Sequence, residues 1–157
     1  PYIIASYLWN TFDFATPMAN RGGIPGRNMK GLMTFDRKTK KDSYFWYKAN
    51  WSKEPVLHLT QRRNVEREKK ETSVTVYSNI GMPRVYLNGQ ELQGIRKGYT
   101  DVHYVFDHVT LSDGKNMLKA VVSRDGKEYT DEIEWNYSGE KNRGTEVYEN
   151  KNEHFGL

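Results

Sequence analysis

From Glu54 onward apolar and polar residues alternate, and twice the alternation is broken by a dipeptide that reverses a chain, Asn88-Gly89 and Asp125-Gly126. Successive side chains of a strand point to opposite faces, so an alternating stretch buries one face and wets the other. Asn-Gly and Asp-Gly accept the positive φ that a two-residue hairpin requires. "PVLHLTQR", "SVTVYSN", "PRVYLNGQEL", "DVHYVFDHVTL" and "NMLKAVVSRDGKEYTDEIEW" therefore read as strands, two of these stretches being hairpins. Val102, Tyr104 and Phe106 fall on one face of their strand, and Leu118, Ala120 and Val122 on one face of theirs.

Many short strands separated by turn signals predict a mainly β fold, an immunoglobulin-like β-sandwich over residues 52–138. The chain has no cysteine, so the inter-sheet disulfide of antibody domains is excluded, as are thiol nucleophiles and thiolate metal sites. The four histidines, His58, His103, His108 and His154, show no helical ligand spacing, and neither a metal nor another cofactor is expected. No apolar run is long enough to span a bilayer as a helix, and no membrane partner is expected. The formal net charge of +4 is not concentrated. Its densest basic run, Arg62 to Lys70, is broken by Glu66 and Glu68, which reads as a solvated loop and not as a nucleic-acid surface. "NWS" at 50–52 and "NYS" at 136–138 match the glycosylation sequon, a pattern short enough to arise by chance.

The first 51 residues are different. "YIIASYLW" is continuously apolar and predicts a strand buried on both faces, as in a parallel sheet. The stretch after it carries Pro17, Gly22, Gly23, Pro25 and Gly26, which predicts a long loop. "KKDSYFWYKANW" predicts a helix capped by Asp42 or Ser43, with Tyr44, Tyr47 and Trp51 on one face. Strand, loop and helix make one β/α unit, and such a unit needs neighbouring strands to pair with. An orphan strand carrying Ile3, Ile4, Tyr7 and Leu8 would press on the sandwich or on a second copy of the chain. Residues 139–157 are polar and read as a linker or tail.

"SYLWNTFDFA", followed by "RGGIPGRNMKGLMTFDRKTKKDSYFWYKANWS" and "EPVLHL", resembles the end of the catalytic barrel of glycoside hydrolase family 2, and within it the β-galactosidases. The likeness is strong over residues 2–61. Over 72–138 it lies in pattern, notably "VYSN", "VYLNG" and "DGKNMLKAV". It implies that residues 1–51 are the last strand, loop and helix of a (β/α)8 barrel and that an immunoglobulin-like domain follows. It implies a retaining β-galactosidase whose two glutamates, about 5–5.5 Å apart, stand on the fourth and seventh barrel strands, upstream of residue 1. The chain alone is then expected to be inactive, with the remainder of the barrel as its partner and a β-galactoside or related carbohydrate as the substrate. A bacterial periplasmic or secreted setting is expected over the cytoplasm.

The resemblance also places site residues. Trp9 matches the tryptophan of the eighth strand that walls the sugar subsite, where a flat ring suits the C–H face of a galactoside. Asn28 and Lys30 form an Asn-x-Lys-Gly stretch, which in the family's glucuronidases contacts the sugar carboxylate. Here contact with a sugar hydroxyl and a role in loop structure both stay open, and Arg21 and Arg27 are weaker candidates. Asp13 and Asp36 fall outside the catalytic pair and read as loop-bonding and turn residues. In the sandwich Tyr77, Tyr86, Tyr99, Tyr104 and Trp135 read first as packing residues. The alternative is a non-catalytic carbohydrate-binding module that holds sugar on such rings.

Overall fold

The computed structural model describes residues 2, 5, 7–17 and 24–139. Ile3, Ile4, Arg21 and the expected tail from 140 lie outside the described residues. Chain order is β1 (Phe14–Ala15), β2 (Arg27–Asn28), helix α1 (Asp42–Trp51), β3 (Leu57–Leu59), β4 (Glu66–Arg67), β5 (Glu71–Ser78), β6 (Arg84–Leu87), β7 (Gln90–Glu91), β8 (Ile95–Lys97), β9 (His103–Thr110), β10 (Gly114–Arg124) and β11 (Lys127–Tyr137).

Two sheets form the sandwich, ordered β3-β5-β9-β8 and β4-β11-β10-β6-β7. This is the immunoglobulin-like partition, in which strands near in sequence are split between sheets. Both hairpin dipeptides turn as their sequence requires. Asn88 and Gly89 have φ of 50° and 83°, and Asp125 and Gly126 have 52° and 74°. The second hairpin pairs β10 with β11 without a slip from Gly114↔Tyr137 to Arg124↔Lys127.

The core lies between the sheets. Leu118 and Ala120 of β10, Val85 of β6 and Ile133 and Trp135 of β11 meet Leu59, Val74, Val76 and Phe106 of the opposite sheet. Burying one such side chain contributes about 1.5–3 kcal/mol. Two polar residues of the inner face are bonded at its margins. Asn116 is wholly buried: its amide donates to the carbonyls of Ser112 and Gly114, and its oxygen accepts from the Ser112 N–H. Asp131 pairs with Arg62 and accepts the Leu59 N–H across the sheets at 2.7 Å, which stitches β11 to β3.

One expected pattern is interrupted. Opposite the single residue Ser73, β9 holds two, Asp107 and His108, between Phe106 and Val109, and His108 has φ of 57°. This β-bulge re-aims the strand, so that Phe106 and Val109 both enter the core although three residues apart. Strict alternation from Val102 would have turned Val109 outward.

The first segment departs further from expectation. None of the described residues ahead of β1 lies in a strand, and Tyr2, Tyr7 and Trp9 are exposed. Among the described residues none of this stretch pairs with a strand, so they do not form the doubly buried strand expected there. Helix α1 forms over the expected residues, but its N-cap is Lys41, which makes no side-chain cap bond. Asp42 stands one position inside, and its carboxylate is used elsewhere.

Candidate functional site

The loop between β1 and α1 is closed by a small backbone network. Leu32 and Met33 donate to the carbonyls of Asn10 and Thr11, Asp13 donates to Met33, and Lys41 donates to Leu32. Gly31 makes this crossing possible, since a Cβ there would lie 2.1 Å from the backbone of Phe12 and Asp13. Asp13 is buried, accepts the Gly31 N–H at 2.9 Å and binds the Lys41 ammonium. Its lone pairs hold the loop, as the sequence suggests. Asp36 accepts from the Thr34 hydroxyl and the Lys38 N–H, and these bonds hold its carboxyl below the usual carboxylate range. It is a turn residue.

On this frame Trp9 is 73% exposed and meets Phe14 edge-on, with ring centroids 6.1 Å apart. Phe14 is the ladder partner of Asn28. Asn28 is buried, and its side-chain oxygen accepts the Lys30 N–H at 3.1 Å, an Asx turn that leaves the Lys30 side chain exposed. The two-stranded ladder thus carries Trp9, Asn28 and Lys30 together through Phe14, without direct contact between Trp9 and the other two among the described interactions. An exposed indole, with an ammonium and loop amides on the same segment, can stack on a ring and donate hydrogen bonds. The segment's two carboxylates, Asp13 and Asp36, are both taken up in holding the loop and the turn.

Arg27 lies over the Phe35 ring at 4.4 Å, and both line a polar cleft of about 540 Å³ with Thr34, Asp36, Thr39 and Arg63. Arg63 was hidden in the sequence among solvated charges. Nothing local to it signals that the fold brings it beside residue 27.

Helix α1 joins this segment to the sandwich through β3. The buried His58 stacks on Phe45 with centroids 3.8 Å apart, and its Nε2 lies 2.8 Å from an Asp42 carboxylate oxygen. The other Asp42 oxygen accepts the Gln61 N–H at 2.7 Å. Burial pushes the Asp42 carboxyl up, but the bonds from His58 and Gln61 together outweigh it and hold the group below its ordinary value. Docking therefore runs through Phe45 and Asp42. Trp51 is 68% exposed, and its ring contact among the described residues is with Tyr47 on its own helix.

Among the aromatics of the sandwich, Trp135 and Tyr104 are buried, Tyr77 is half-buried against His103, and Tyr86 receives Arg84 over its ring. Tyr99 stands free of the core.

No family model matches the chain. A β-glucuronidase of Bacteroides fragilis is 34% identical over 142 residues, which span 90% of this chain and 20% of that protein. The crystal structure of a putative β-galactosidase from Bacteroides fragilis superposes with a TM-score of 0.85 at 82% identity, over 91% of this chain and 21% of that one. An FMN-binding β-glucuronidase from Faecalibacterium prausnitzii superposes with a TM-score of 0.70 at 38% identity, over 85% and 20%. The chain thus spans about one fifth of the length of these relatives. By sequence and by fold it is homologous to a segment of the β-glucuronidase- and β-galactosidase-type glycosidases.

Proposed function

We propose that the chain is the carboxy-terminal part of a retaining family 2 β-glycosidase, comprising the closing segment of its barrel and an immunoglobulin-like domain that buttresses it. The parent hydrolyses a terminal β-galactoside through a glycosyl-enzyme intermediate, in which one carboxyl group attacks the anomeric carbon while the other protonates the leaving group. Both carboxyl groups belong to the remainder of the barrel. This chain supplies one wall of the sugar subsite: Trp9 stacks on the pyranose, and the Asn28 turn presents Lys30 at its rim. The exposed Trp9, edge-on to Phe14 beside Asn28, is the observation that carries the reading.

A second substrate is favoured by one feature. The exposed Lys30 ammonium suits a carboxylate, and two of the relatives bear the name β-glucuronidase. The whole enzyme that contains this chain separates the two. Trp9→Ala should lower kcat/KM about a hundredfold on the preferred glycoside, since stacking positions the anomeric centre. Lys30→Ala should change kcat/KM on a galactoside less than about threefold if the sugar is neutral. If the sugar is a uronate, it should lower kcat/KM on a glucuronide by about 10–150-fold, the worth of a hydrogen bond to a charged group. Full activity of Trp9→Ala on both substrates would refute the site.

A further inference from the structure

The outer face of the β3-β5-β9-β8 sheet carries a concavity of about 370 Å³, within the range of small-ligand sites. It lies beside the β9 bulge, and bulges recur next to functional sites because they re-aim side chains. Its lip is Tyr99, 94% exposed, in the turn between β8 and β9.

The imidazole behind Tyr99 is fixed. The Tyr99 N–H donates to His103 Nδ1 at 3.2 Å, and His103 exchanges backbone bonds with Gly98 and Thr100. Gly98 is required, since a Cβ there would fall 2.4 Å from the ring. Tyr77 meets the ring edge-on from another side, with centroids 5.4 Å apart. Because Nδ1 accepts, the neutral ring carries its proton on Nε2. Burial, with the Arg96 charge near it, lowers the imidazole below its ordinary value and favours that neutral form.

Both cations of the lining are already paired. Arg96 forms a two-bond pair with Asp107, and Lys97 binds the Asp101 carboxylate at 3.0 Å. Ser73, Thr75 and Val105 complete the lining. A 94% exposed aromatic ring, a planar donor–acceptor pair, hydroxyls and cations already paired with acids match a neutral polyol better than an anion, which would have to displace those acids.

We propose that this concavity is a carbohydrate-binding subsite separate from the Trp9 segment, holding one pyranose ring of a neutral oligosaccharide against Tyr99, with the Arg96–Asp107 pair and His103 bonding its hydroxyls. The site does not depend on where the catalytic acids stand, so its failure and the failure of the glycosidase reading can be told apart.

The test is a titration of the 157-residue chain with β-1,4-galactotriose, followed by amide chemical shifts. Saturable shifts should centre on Gly98, Tyr99 and His103, with a dissociation constant on the order of millimolar. Tyr99→Ala should keep the melting temperature, its ring being exposed, and weaken binding about tenfold. Met117→Ala, on the opposite sheet, should bind as the parent does. Absence of saturable shifts, shifts centred elsewhere, or undiminished binding by Tyr99→Ala would each overturn the proposal.

Discussion

Trp135→Ala is expected to cost about 3–5 kcal/mol, which for a domain of this size is a large share of the total stability. Trp135 is 1% exposed and is the largest of the fully buried side chains. It closes the core at the end of β11, opposite Asn116 on β10. On its margin the Arg67 guanidinium lies over the indole at 4.3 Å, so the substitution removes packing and a cation–π contact together. Arg67 is also bonded to Gln61, Asn64 and Thr72, and these bonds fix it where the ring would be lost. Among the described residues the indole N–H has no hydrogen-bond partner. Trp135→Phe should therefore cost far less, about 1–2 kcal/mol, because it removes area without orphaning an acceptor. Urea unfolding of both variants checks this. Equal losses would mean that the indole nitrogen is bonded.

Asp42→Ala should release the helix while leaving the sandwich folded. The change orphans two groups at once, the buried His58 Nε2 and the Gln61 N–H, each at about 1–3 kcal/mol. Gln61 has φ of 66°, a left-handed conformation held from outside by that bond. The expected signature is faster exchange of the Gln61 amide and lost contact between Phe45 and His58, with the β10–β11 amides still protected. Acid should act in the same direction. The Asp42 carboxyl is held below its ordinary value of 3.8 when folded, so between the two values the unfolded chain binds more protons. The contribution is complete well above pH 4 and is lost as pH falls through the folded value. Helix release at neutral pH with Asp42 intact would contradict this account.

The sandwich was legible because its information is local. Asn88-Gly89 and Asp125-Gly126 state their turns in two residues, and Leu118 and Ala120 state their face by spacing alone. The strands that escaped notice were short edge strands. Glu66–Arg67 and Ile95–Lys97 have too few residues to show a period, and their pairing is set by β11 and β9. The β9 bulge was illegible because its two residues, Asp107 and His108, look like ordinary polar positions. In the helix the aromatic residues are so dense that spacing could not say which ring docks. The choice fell to Phe45 because His58, sixteen positions beyond Asp42, offers a flat partner and a hydrogen bond. In the candidate site Trp9, Asn28 and Lys30 were nameable only through resemblance to a family. Their joining through Phe14 depends on a two-residue ladder, and Arg63 reaches the neighbouring cleft from across the fold.

The measurement that bears most directly on the account is hydrolysis of chromogenic β-galactosides and β-glucuronides by the purified 157-residue chain. The wall of a sugar site without its acids should release no chromophore above the buffer rate at any pH. Turnover that scales with protein concentration and is abolished by changing an aspartate or glutamate of this chain would show that the reacting carboxylates are here, and the division of labour proposed above would be wrong.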